Sequence, residues 1–278
     1  MPNRYIQISP ISFYFILLLF VVFYSPTFLS LYQLWSDPVN KGYSHGLFLS
    51  IVVVILLYKD LSREKFLQLD LLYLPLIFLS SILWATAMIG IIETIEYVFM
   101  FLVLFLLIWL ITNVGRINRA YLVLAFIFTL PIWNVFNGVL QKLTAIFTYL
   151  FLKLTFIPVR IEGLYLSLPN GNFVVASYCS GLRQQIIALT LITLFAYLNK
   201  IEFRKLAVIY VVTVFVAFTL NLIRIYIIVV SGYLTNMTTS LVEDHSVLGW
   251  VIFGSGMWLY IYGLNKYLDR LDRVKANI

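Results

Sequence analysis

AVIYVVTVFVAFTLNLIRIYIIVV, residues 207–230, carries one charged residue, Arg224, in 24 positions. A helix rises 1.5 Å per residue, so this run exceeds the ~30 Å hydrocarbon layer of a membrane. The rest of the chain reads the same way. Of 278 residues, 62% are hydrophobic and 11% charged, and mean hydropathy is +0.98. A soluble domain carries about 25% charged residues. The composition therefore excludes a soluble enzyme. It predicts an all-α integral membrane protein, a single polytopic domain over 1–278.

Apolar runs place spans near 11–33, 45–58, 71–89, 94–113, 119–136, 181–198, 205–231 and 246–265. The first has only Arg4 before it and no small-residue cleavage site after it, so it reads as a retained helix. A ninth segment, 137–157, carries Asn137, Gln141, Lys142, Thr144, Thr148 and Lys153. It reads as an amphipathic helix lying in the outer interface. Eight spans put thirteen of the nineteen lysines and arginines on the side of Arg4. A ninth crossing would turn the basic "NKIEFRK" (199–205) outward, against the positive-inside tendency. Both termini are expected in the cytoplasm. The net charge of +7 reads as loop charge that sets orientation, not as a nucleic-acid surface.

On that topology four reactive residues share the outer leaflet: His45, Cys179, Arg224 and His245. The segment 159–177 alternates in polarity around a Pro-Asn-Gly turn and reads as a short extracytoplasmic hairpin presenting Cys179. Cys179 is the lone cysteine. In "CSGLRQQ", Ser180 or Gly181 can start a helix whose free N–H groups, with Arg183, favour a thiolate. A small buried cysteine that packs like alanine fits the same pattern. Arg224 is costly in an apolar span unless it faces protein, and Asn221, one turn earlier, can steady it. His245, beside Glu243 and Asp244, is the natural base for a thiol. Tyr43 and His45 are candidates for support or substrate contact. No residue pair has close metal-ligand spacing, so no metal or cofactor is expected.

Taken together, "YSHGLF" (43–48), "FTLPIW" (128–133), "FVVASYCSGLRQ" (173–184), "NLIRI" (221–225) and "HSVLGW" (245–250) resemble the exosortase/archaeosortase family, nearer its bacterial branch. The order Cys-Ser-Gly, Asn-x-x-Arg, and His followed four residues later by Gly249 carries most of the resemblance. It implies a membrane cysteine transpeptidase of the bacterial inner membrane. Such an enzyme cleaves C-terminal sorting signals made of a short motif (often Pro-Glu-Pro), a transmembrane helix and a basic tail. Cleavage is at the outer face, and the product passes to an acceptor in the envelope, an amine or a glycolipid. The family's Cys, Arg and His carry over to Cys179, Arg224 and His245.

The same trio would serve a purely hydrolytic membrane cysteine protease or a thiol-dependent acyltransferase. From another class, Arg183 and Arg224 would suit a polytopic anion transporter. The absence of an evident repeat and the clustering of polar residues at one surface favour the enzyme.

Overall fold

Short strands interrupt a helical chain in a computed structural model that describes residues 4–37, 41–112, 116–239 and 246–276. The elements are β1 (Tyr5–Ile8), α1 (Pro10–Phe23), α2 (Ser25–Ser36), α3 (His45–Leu61), β2 (Leu67–Asp70), α4 (Leu74–Ile89), α5 (Glu93–Trp109), α6 (Arg116–Ile127), α7 (Asn137–Leu154), β3 (Arg160–Glu162), β4 (Tyr165–Leu168), β5 (Gly171–Val174), α8 (Leu182–Leu198), α9 (Phe203–Leu234) and α10 (Ser246–Ala276). They fall into two compact units: Met1–Ile132 with Thr193–Leu206, and Trp133–Ile192 with Ala207–Ile278.

Among the described residues, five stretches are long and apolar enough to cross a membrane: Leu71–Ile89, Pro131–Leu154, Ser177–Leu198, Phe203–Leu234 and Val247–Leu271. Counting α1 and α2 as one broken span makes six. The expected eight regular spans are not reached by this measure, for a geometric reason. Helices α3 and α5 have 17 residues each and α6 has 12. At 1.5 Å per residue these are about 25 Å and 18 Å long, short of a ~30 Å layer. The first expected span bends by 76° at Tyr24. Pro26, in the first turn of α2, has no N–H for a continuous helical ladder. Pro131–Leu154, which takes in most of the 137–157 segment expected to lie along the interface, is itself long and apolar enough to cross.

In the first unit, apolar helices carry polar side chains that satisfy one another, as a water-poor setting demands. Trp84 Nε1 donates to Thr27 Oγ1 at 2.8 Å, and Thr27 Oγ1 donates to Glu96 at 3.3 Å. The Tyr24 hydroxyl reaches Ser81 at 2.7 Å, and the Ser30 and Tyr97 hydroxyls lie 2.6 Å apart. Strands β1 and β2, which the sequence reading did not foresee, pair antiparallel with Tyr5 opposite Asp70 and Ile8 opposite Leu67.

The second unit holds the hairpin foreseen before Cys179, built as a three-stranded antiparallel meander, β3-β4-β5. Leu166 and Leu168 turn inward from β4 and join Ala145 and Leu152 of α7 with Ile225, Ile228 and Val229 of α9. This apolar cluster is the floor on which the cysteine turn rests.

Candidate active site

Cys179 closes a 3-10 turn, Ser177–Cys179, that leads directly out of the meander. Its N–H donates to the Ala176 carbonyl at 2.9 Å, and the Ser180 N–H donates to Ser177 at 3.3 Å. Gly181 then adopts φ +85°, a left-handed conformation that L side chains resist. The chain turns there into α8. Ser180 accepts from the Leu182 N–H at 3.2 Å through its hydroxyl, satisfying one of the free donors that open the helix. The sulfur therefore sits immediately before a helix start, as the sequence suggested. It is 7% exposed and packs in the apolar cluster of α7, β4 and α9.

Helix α9 brings the second group. Asn221 is 1% exposed, and its Nδ2 donates to the Cys179 carbonyl at 3.1 Å. The sequence suggested that Asn221 steadies Arg224; its amide instead holds the cysteine turn. A Cβ on Gly181 would stand 2.8 Å from Asn221 Cγ, so only glycine lets the two elements meet. One turn further along α9, Arg224 is 8% exposed, and its Nε finds no hydrogen-bond partner among the described residues. Its charge reaches both the Cys179 sulfur and the Arg183 guanidinium. Gly249 on α10 lies against it, and a Cβ there would stand 2.7 Å from Arg224 Nε. A buried guanidinium whose Nε is unpartnered among the described residues is a donor that an emerging anion on a substrate would meet.

Helix α7 supplies residues that sequence reasoning missed. Gln141 Nε2 donates to the Val175 carbonyl, and Thr144 Oγ1 donates to the Ser180 carbonyl at 3.3 Å. Thr144 and Thr148 are fully buried. Gln141, Thr144 and Thr148 follow the i, i+3, i+7 spacing of a single helix face. That face holds the cysteine turn, whereas the sequence reading gave its polarity to the membrane interface. The spacing itself was the missed signal.

The remaining predicted residues fall in three places. Arg183 is half-buried in the first turn of α8. Tyr43 and His45 belong to the first unit, where their rings stack with centroids 6.5 Å apart. Burial pushes the Tyr43 phenol up to about 12. Asp244 and His245 lie outside the described residues.

A family model described as transmembrane exosortase matches residues 35–262, a stretch that contains Cys179, Asn221, Arg224, His245 and Gly249. The chain belongs to the transmembrane exosortase family. No curated protein and no solved structure matches it. Exosortase membership, with the long apolar helices, makes this a multi-pass membrane protein and supports a membrane transpeptidase-type function.

Proposed function

We propose that the chain acts as one exosortase-like membrane domain, a cysteine transpeptidase with Cys179 as nucleophile. The observation that carries this reading is the Asn221 amide on the Cys179 carbonyl, which binds the cysteine turn to the helix bearing the unpartnered Arg224 Nε. His245 takes the thiol proton, and the thiolate attacks the scissile carbonyl. Arg224 stabilises the oxyanion. The C–N bond breaks, His245 returns the proton to the leaving amine, and a thioester remains on Cys179. An acceptor amine or another envelope nucleophile then releases the product. Ser180 and Gly181 shape the turn, Arg183 adds positive charge, and Asp244 orients His245. Tyr43 and His45 serve support or substrate contact.

The substrate is a membrane-anchored protein ending in a short motif of the Pro-Glu-Pro kind, an apolar helix and a basic tail. In the bacterial inner membrane its tail stays cytoplasmic by the same charge tendency that keeps both termini of this chain there. The bond to be cut then rises to the outer face. The test is a reporter protein carrying such a tail, co-expressed with the wild-type chain or with Cys179→Ala. The wild type shortens the reporter and the variant leaves it intact. Product mass separates transfer, which adds an acceptor, from hydrolysis, which leaves a free carboxylate. Undiminished shortening by Cys179→Ala overturns the assignment.

A further inference from the structure

The two edges of the meander are treated differently. In β3 the exposed residues are Arg160 and Glu162, charges of the kind that discourage another strand from adding. In β5, "GNFV", there is no charge and no proline. Its outward direction follows from the ladder. The Val175 N–H donates to the Leu164 carbonyl at 3.0 Å, and Phe173 pairs with Leu166. Antiparallel strands alternate, so the backbone groups of Asn172 and Val174 point away from β4. Both residues are exposed, Val174 at 51%. Among the described residues nothing bonds to these outward N–H and C=O groups. From Val174 the chain runs through exposed Ser177 and Tyr178 straight to Cys179. Five residues cannot span more than about 17 Å.

We infer that the outer edge of β5 is the docking strand for the substrate's recognition motif. The motif adds as a fourth, extended strand through backbone hydrogen bonds to Asn172 and Val174. This deepens the proposed function and rests on it. An extended peptide is the fitting occupant because the edge is open, uncharged and continuous with the turn that bears the sulfur. A paired motif delivers a peptide bond within a few residues of Cys179. Extended pairing also holds the chain straight, which exposes one carbonyl at a fixed height.

The experiment has two arms and uses the full-length protein in membranes. The reporter ends in a Pro-Glu-Pro motif, an apolar helix of about 20 residues and a basic cluster. In the first arm, Val174→Pro removes the outward N–H while leaving the β4 ladder intact. It raises the KM for the reporter about tenfold with kcat little changed, since about one hydrogen bond is lost. Ile161→Pro, which removes the outward N–H of the opposite edge, leaves KM unchanged. In the second arm, Asn172→Cys is combined with Cys179→Ala, so the reporter is neither cut nor trapped by the native thiol. Single cysteines are then placed along the reporter motif and disulfide cross-links are scored. Strand pairing gives cross-links at every second position, because side chains alternate between faces. Cross-links without that periodicity, or none, overturn the inference whether or not Val174→Pro folds. If Cys179→Ala alone still processes the reporter, the reading of the nucleophile fails instead, and the docking strand is then judged by the periodicity of the cross-links scored on cut and uncut reporter alike.

Discussion

The side-chain amide of Asn221 donates to the backbone carbonyl of Cys179 across 3.1 Å. A membrane helix is thereby fastened to the turn that carries the thiol. The bond is buried, so losing the donor strands a carbonyl with no water to replace it. Asn221→Ala is expected to destabilise the fold by about 1–3 kcal/mol. It should also slow reporter processing by up to about a hundredfold, the cost of a shift near 1 Å in a reacting group. The loss should appear in kcat more than KM, and Asn221→Gln should not restore it. Detergent melting curves and reporter kinetics check this; unchanged kcat in a folded Asn221→Ala protein would count against a positioning role.

Gly181 makes that bond geometrically possible. Its φ of +85° disfavours any side chain by roughly 1–2 kcal/mol, and an added Cβ would also press on Asn221 Cγ at 2.8 Å. Gly181→Ala is therefore expected to be worse than the backbone strain alone. Pairing it with Asn221→Ala opens the space the methyl needs. The double variant should be more stable than the sum of the two single losses predicts, because touching residues couple. Strict additivity in thermal denaturation would show that the two side chains do not share that space.

Much of this arrangement was legible in the sequence. Long apolar runs announce a membrane protein, and the lone cysteine before Ser-Gly announces a helix start. The charge on α9 stands out because guanidinium is expensive there. What was not legible has physical causes. Apolar runs mark candidate spans but not where a helix ends, so the shortness of α3, α5 and α6 did not show. Polarity on α7 read as contact with water, although Gln141 and Thr144 turn it toward the cysteine turn. Strand β1 is four residues long, and its partner lies about sixty positions away, beyond any local pattern.

Gly249 sets the seat of Arg224. A methyl at Gly249 would stand 2.7 Å from Arg224 Nε, tighter than atoms tolerate. Gly249→Ala is thus expected to push the guanidinium aside without removing it. Processing should fall at least tenfold while the protein stays folded, by the same geometric sensitivity. Arg224→Lys keeps the charge but loses the planar fork, and should be no better. Activity near wild type in either variant, with intact melting behaviour, would remove Arg224 from the reacting centre.

Far along the chain from this turn, Arg4 ties the start of the first unit to β2. Its Nε and Nη2 donate to the two oxygens of Asp70 at 2.8 and 2.7 Å, a bidentate pair. Asp70 is 2% exposed and also accepts from the Leu72 N–H at 3.1 Å. The carboxylate holds the Arg4 guanidinium well above its ordinary value, so raising pH cannot undo the pair within any range the protein survives. Substitution can. Arg4→Ala takes a bidentate guanidinium away from a buried carboxylate, the costlier way to weaken a pair. Asp70→Asn leaves a neutral group that still accepts from Leu72. Both variants should speed amide exchange at Tyr5–Ile8, and Arg4→Ala should do so more. Processing by a turn in the other unit should change little. Equal protection of β1 in wild type and Arg4→Ala would show that the strand is held by its ladder alone.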